Sequence, residues 1–245
     1  YESELIRVEN FAIDDGGDQT FNGGVPDGLY DISTQEASST LLVTANSGLV
    51  GEDIPNRANF QGVLGQFNGS GGGGDEPDEG YQLLGLTAND IEPVVSLASV
   101  DFSNDQLAPM TAFSVASNED WGTSSQGGAP NVPYAVVNGF GADEPSNDWL
   151  ISPAFNFNNY EKEALRFLNA KGFNDSGQRG LKVKVSTDYS GSGDPTNANW
   201  TDVSEQVTFS EGNFNFVQSG RVDLSGSEFQ GGQVYIAFQY QSTSP

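Results

Sequence analysis

The chain has 245 residues and carries 34 Asp and Glu against only 9 Lys and Arg, a formal charge of −25, with no cysteine and no histidine. So acidic a surface repels phosphate backbones and anionic lipid, which argues against nucleic-acid partners and membrane insertion. Without thiol or imidazole there is no disulfide, thiolate nucleophile, Ser-His-Asp relay or usual zinc site; carboxylate chemistry and hard, oxygen-ligated cations remain.

The charge has two compatible readings: solubility in a salty medium that screens it, and loading with calcium. No apolar run is long enough to cross a bilayer, and no leader peptide precedes the first strand-like residues. The chain therefore reads as a mature or trimmed piece of a longer protein. Its 31 glycines, with many Asn, Ser and Asp, divide the apolar residues into short runs, the pattern of an all-β protein.

In chain order, Leu5–Ile13 predicts the first strand, ended by a turn at Asp14–Asp18. Strands follow at Leu29–Ile32, Thr40–Thr44, Phe60–Phe67 and Tyr81–Leu84. The Gly-rich acidic stretch Ser70–Gly80 lies between the last two and predicts a long hairpin loop at the surface. Asn89 or Asp90 caps a short turn, Pro93 ends pairing, and a domain boundary is expected between Glu92 and Leu97.

The second region opens at Ser99–Phe102. Leu181, Val183 and Val185 alternate with Lys182, Lys184 and Ser186, and Val234, Ile236, Phe238 and Tyr240 alternate with Tyr235, Ala237 and Gln239. That is period-two burial on one side of a sheet. Phe155 with Phe157, and Phe214 with Phe216, repeat the pattern. Residues 161–171 have helical propensity, but strands flank them and so short a helix is marginal; a turn and then a strand over Ala164–Ala170 is expected.

Two motifs stand out: Asn147–Pro153, and Val185–Gly191 followed by Asp194-Pro195 and Asn199–Thr201. With Asp101–Asn104, which resembles the opening strand, and with Asn118–Trp121, Asn138–Gly141 and Val234–Tyr240 they occur in the order of the choice-of-anchor J domain, which residues 99–245 resemble within a second domain expected over 96–245. That family is related to the cleaved-adhesin domains of gingipains and to MAM-type modules. The resemblance implies a jelly-roll β-sandwich in an extracellular or cell-surface bacterial protein. It further implies calcium, held here at Asp101, Asn104, Asn118, Asp120 and Asp148. The family continues into a final strand after the one matching Val234–Tyr240. Only Gln241–Pro245 follow here, so an open edge beside that strand is expected, either filled by a strand from a separate C-terminal segment, the first domain or a neighbouring copy, or left frayed by truncation.

Residues 1–95 resemble the C-terminal half of an OB-like domain of unknown function in secreted bacterial proteins, through Leu5–Asn10, Gly62–Gly69, Tyr81–Leu84 and Asn89–Ile91. The expected architecture is thus an OB-like or small β-barrel domain followed by a jelly roll. OB folds bind oligonucleotides or oligosaccharides, and the charge disfavours the first.

Trp149, between Asp148 and Leu150, is expected in the core. Trp121 and Trp200 lie in polar, turn-rich sequence and either stack on sugar rings or pack beneath a loop. The carboxylate pairs Asp75/Glu76, Asp78/Glu79 and Asp143/Glu144 have polar surroundings, whereas catalytic carboxylates need rigid, apolar ones, so no enzyme is expected. Two functions remain. One is a non-catalytic adhesion or carbohydrate-binding accessory module, with a glycan or cell-surface polymer as partner. The other is a structural subunit of an extracellular fibre or coat, in which copies of the chain exchange strands.

Overall fold

The computed structural model describes residues 4–13, 20–21, 29–33, 38–43, 45–66, 81–85, 87–126, 133–172 and 180–242. Among these the protein is all-β: strands joined by turns and by 3-10 turns of three residues. It divides into two compact units, Tyr1–Leu97 and Ala98–Pro245.

The described residues of the first unit form six strands: β1 (Glu4–Ile13), β2 (Leu29–Ser33), β3 (Ser38–Val43), β4 (Arg57–Gln66), β5 (Tyr81–Gly85) and β6 (Ile91–Pro93). Neighbours run β1-β2-β3-β5-β4, and β1 also pairs with β4, which closes a ring of five strands. Pairing is antiparallel except for β3 against β5. Inward side chains follow the strand period of two: Phe11 and Ile13, Tyr30 and Ile32, Leu41 and Val43, Ala58 and Phe60 are all buried. Each larger one contributes about 1.5–3 kcal/mol of apolar burial. Leu49 and Ile54 are buried in the same core from the turn segment before β4. Gln66 pairs with Tyr81, as a β4–β5 hairpin requires. The acidic stretch Ser70–Gly80 and the turn at Asp14–Asp18 lie outside the described residues. Asp90 accepts the Thr87 N–H at 2.8 Å and so caps the turn before β6.

The strands of the second unit are β7 (Thr111–Ala116), β8 (Gly122–Ser124), β9 (Tyr134–Val136), β10 (Asn147–Ile151), β11 (Ala164–Leu165), β12 (Leu168–Asn169), β13 (Leu181–Ser186), β14 (Thr201–Asp202), β15 (Val217–Gln218), β16 (Val222–Asp223) and β17 (Tyr235–Gln241). Five form one antiparallel sheet in the order β14-β13-β17-β10-β7. Against its inner face lies an antiparallel ribbon of β11 with β16 and β12 with β15. Ser219 interrupts the ribbon by donating its N–H to the Phe167 carbonyl and accepting the Phe167 N–H on its hydroxyl. Val183, Val185, Val222, Leu224, Val234 and Ile236 are buried in the core between the layers, and Phe167 meets Phe238 edge-on at 4.9 Å.

Four local expectations need correction. Ser99–Asn104 forms no strand: Asp101 accepts the Ser103 N–H and Phe102 takes φ +56°, so a turn precedes β7. Phe155 makes an isolated bridge to Val234, while Asn156 caps a 3-10 turn that takes in Phe157. Phe214, with φ +58°, sits in a turn and is 58 % exposed. Burial is not one-sided: the outer face of the five-stranded sheet buries Trp149, Ile151, Tyr235 and Ala237 with Tyr189, and Trp200 packs against them.

The expected open edge beside Val234–Tyr240 is not there. β17 is a central strand, paired with β13 on one side and β10 on the other. The edges of this sheet are β7 and β14.

Candidate functional site

Asp148 is the focus of the second unit. On β10 it stands between Ser114 of β7 and Tyr240 of β17 and is fully buried. The Ser114 hydroxyl donates to its Oδ1 at 2.6 Å, whereas its Oδ2 is enclosed with no hydrogen-bond partner. Burial pushes the carboxyl pKa up; the Ser114 and Ser146 hydroxyls oppose this, and the charges of Asp120 and Glu119 add to it. A buried carboxylate within the field of two further negative charges is unfavourable alone, and a hard cation relieves it.

The surrounding loops are tied together by backbone. The N–H of Asn118 donates to Asp143 at 2.9 Å, and the N–H of Asp143 donates back to the Asn118 side chain at 3.2 Å. The Ser117 N–H donates to Glu144, and the Trp121 N–H donates to Asp120 at 2.7 Å. Ser146 donates its N–H to the Ser242 hydroxyl and receives the Ser242 N–H on its carbonyl. These links fix the loops before β8 and β10 over one end of the sheet.

Of the five residues that the family resemblance implies for calcium, Asp120 lies near enough to Asp148 for its charge to raise the Asp148 pKa. The side chain of Asn118 is turned to Asp143. Asp101 and Asn104 are exposed in the turn before β7, and the Ser103 N–H at the Asp101 carboxylate lowers the Asp101 pKa. Among the described residues no three acidic side chains are assembled as a metal centre. The donor set nevertheless suits a hard cation: oxygen only, anionic, and with one partnerless buried oxygen. The sequence reading names Glu119 only within the acidic turn and Asp143 only within a carboxylate pair, assigning neither to the site, and it passes over Ser114. A usable signal was present, since no Lys or Arg occurs from Ala58 to Glu161, which leaves these acids without a counter-charge nearby in sequence.

Both candidate sugar-stacking tryptophans are half-buried and use their indole N–H internally. Trp121 donates to the Asp148 carbonyl at 3.2 Å. Trp200 donates to the Pro195 carbonyl at 2.9 Å and packs on Trp149 and Tyr189, with ring centroids 5.2 and 5.5 Å away. Asp188 locks the loop carrying Trp200 by accepting from the Ser186 hydroxyl and from the backbone and side chain of Asn199. Those bonds hold its pKa down, Asn199 contributing most. Lys184 lies 5.2 Å above the Trp149 ring, and burial lowers its pKa. The second motif is thus a packed loop over the outer face.

Of the carboxylate pairs, Asp143 and Glu144 are bound to backbone N–H groups, while Asp75/Glu76 and Asp78/Glu79 lie outside the described residues. Among the described residues no helix is long and apolar enough to cross a membrane.

No curated protein matches the chain. Residues 154–245 match a family described as a domain of unknown function (DUF5017), a span that begins just after β10 and takes in the ribbon, β13, β14 and β17.

Proposed function

We propose that the chain is a non-catalytic adhesion or carbohydrate-binding module of a bacterial surface or secreted protein, with a glycan or cell-surface polymer as partner and calcium as a structural cofactor. The observation that carries the cofactor is Asp148, fully buried with one oxygen unpartnered and with the negative charges of Asp120 and Glu119 raising its pKa further. Asp120 and Asp148 would supply the anionic oxygens, with loop carbonyls completing the shell in place of Asp101 and Asn104. Calcium there supplies counter-charge and cross-links the two loops. The order β1-β2-β3-β5-β4 closing on β1 supports an OB-like reading of the first unit, and the two packed layers of the second support the jelly-roll reading. The test is titration calorimetry with calcium on the whole chain beside melting curves in calcium and in chelator. Saturable binding with a higher Tm supports the reading; identical curves and no binding heat overturn it.

A fibre or coat subunit is the second reading, favoured by the six-residue edge strand β7. Sedimentation velocity separates the two, because strand-exchanged copies form a concentration-dependent series of oligomers and a carbohydrate-binding monomer does not.

A further inference from the structure

Phe140 is 88 % exposed, the most exposed of the large apolar side chains in the described residues. It sits between two glycines on a loop built to hold it outward. The Asn138 side chain accepts the Phe140 N–H at 3.0 Å, and the Ala142 N–H reaches the Gly139 carbonyl. Gly141 takes φ +82°. Gly139 is packed so closely that an added Cβ would lie 3.1 Å from the Tyr240 hydroxyl and 3.3 Å from that of Ser146. On the far side the loop is pinned by the reciprocal bonds between Asp143 and Asn118 and by the Glu144 bond to the Ser117 N–H. An apolar ring kept in water by so many fixed contacts loses little entropy on binding, which is how recognition aromatics act.

The polar groups beside it identify the ligand. Asn138, Asn118, Asp143 and Glu144 are exposed planar amides and carboxylates on this loop and its partner. From Ala58 to Glu161 there is no cation to draw an anionic glycan, a nucleic acid or an anionic lipid. The two carboxylates already accept backbone N–H groups, so what they still offer is acceptor capacity, suited to hydroxyl donors.

We infer that this loop is a glycan-binding surface: Phe140 takes the C–H face of a neutral sugar ring, and Asn138, Asp143 and Glu144 bind its hydroxyls. The inference rests on the carbohydrate-binding reading above and moves the stacking role from Trp121 and Trp200 to Phe140.

Affinity electrophoresis of the whole chain tests it, in native gels containing laminarin, xylan, mannan or hydroxyethyl cellulose, with poly-lysine as a cationic arm. The expected result is retardation by at least one neutral polysaccharide, insensitive to salt, weakened about tenfold by Phe140→Ala as for a hot-spot aromatic and retained by Phe140→Trp. Equal retardation of wild type and Phe140→Ala overturns this surface while leaving the carbohydrate reading in place. No retardation by any neutral polysaccharide overturns both. Salt-sensitive binding to poly-lysine alone overturns the inference in favour of a cationic protein partner.

Discussion

Replacing Asp148 with Asn removes the buried charge and keeps the shape. In wild type, calcium at a hundredfold excess over its Kd adds about 2.7 kcal/mol to the folded state. For a unit of this size each kcal/mol moves Tm by about 2–4 °C, so saturating calcium should raise it by about 5–11 °C. In Asp148→Asn that rise should vanish, because the variant loses the anionic oxygen that has no protein partner. In chelator the variant should lie within about 2 kcal/mol of wild type: relief of an unpaired charge offsets an orphaned amide N–H. The pH dependence carries a definite sign. The Asp148 pKa in the folded chain lies above its ordinary 3.8, so the folded state holds the proton to higher pH than the unfolded chain does. Its contribution is therefore present at low pH and lost as pH rises through the folded pKa. In chelator, then, the stability of Asp148→Asn relative to wild type should improve as pH rises through that window. Differential scanning calorimetry in calcium and in chelator, from acid to neutral pH, reads all three effects. A variant that keeps the full calcium shift, or that gains on wild type as pH falls, would refute the reasoning.

Gly191 holds φ +84°, and a Cβ there would lie 2.5 Å from the Tyr235 hydroxyl; Gly191→Ala should cost about 1–3 kcal/mol in urea titration, from strain and a displaced buried ring. Phe60, fully buried in the ring of the first unit, should cost about 3–5 kcal/mol as Phe60→Ala, read by the same titration. Asp188 has a depressed pKa, so its bonds to Ser186 and Asn199 should weaken as pH falls through that value, and Asp188→Asn should flatten the acid limb of the Tm–pH curve. Trp200→Phe should cost about 0.5–1.5 kcal/mol, the value of its hydrogen bond to Pro195, and leave the ring contacts with Trp149 and Tyr189 to be checked by near-ultraviolet dichroism.

Strands whose side chains alternate between core and solvent were legible in the sequence. Phe11 and Ile13, Tyr30 and Ile32, and Val183 and Val185 fall where the period of two puts them, because local pattern and burial agree. Phe155 with Phe157 misled, since the cap from Asn156 turns the chain before a second strand position is reached. The two-sided burial of the main sheet was illegible: it depends on Asp188 and Asn199 folding the 187–200 loop back over Trp149, a contact with no periodic signature. Asp148 and Asp120 were found through a motif and its neighbour. Asp143 was not, because what brings it in is a pair of backbone-to-side-chain hydrogen bonds with Asn118, 25 residues away.

β17 is the centre of its sheet, yet it follows every other strand of the described residues. Its partner β10 is far back in sequence, as the bond between Gln239 and Asn147, 92 residues apart, shows. Until β17 is made, β10 and β13 have no common neighbour, and each presents an unpaired edge. The second unit therefore cannot assemble strand by strand during synthesis; its main sheet forms in a late step that joins two preformed halves. Interrupting synthesis before Tyr235 should yield a chain that aggregates through those two edges, whereas the ring of the first unit, already complete at Gly85, has by then closed on itself.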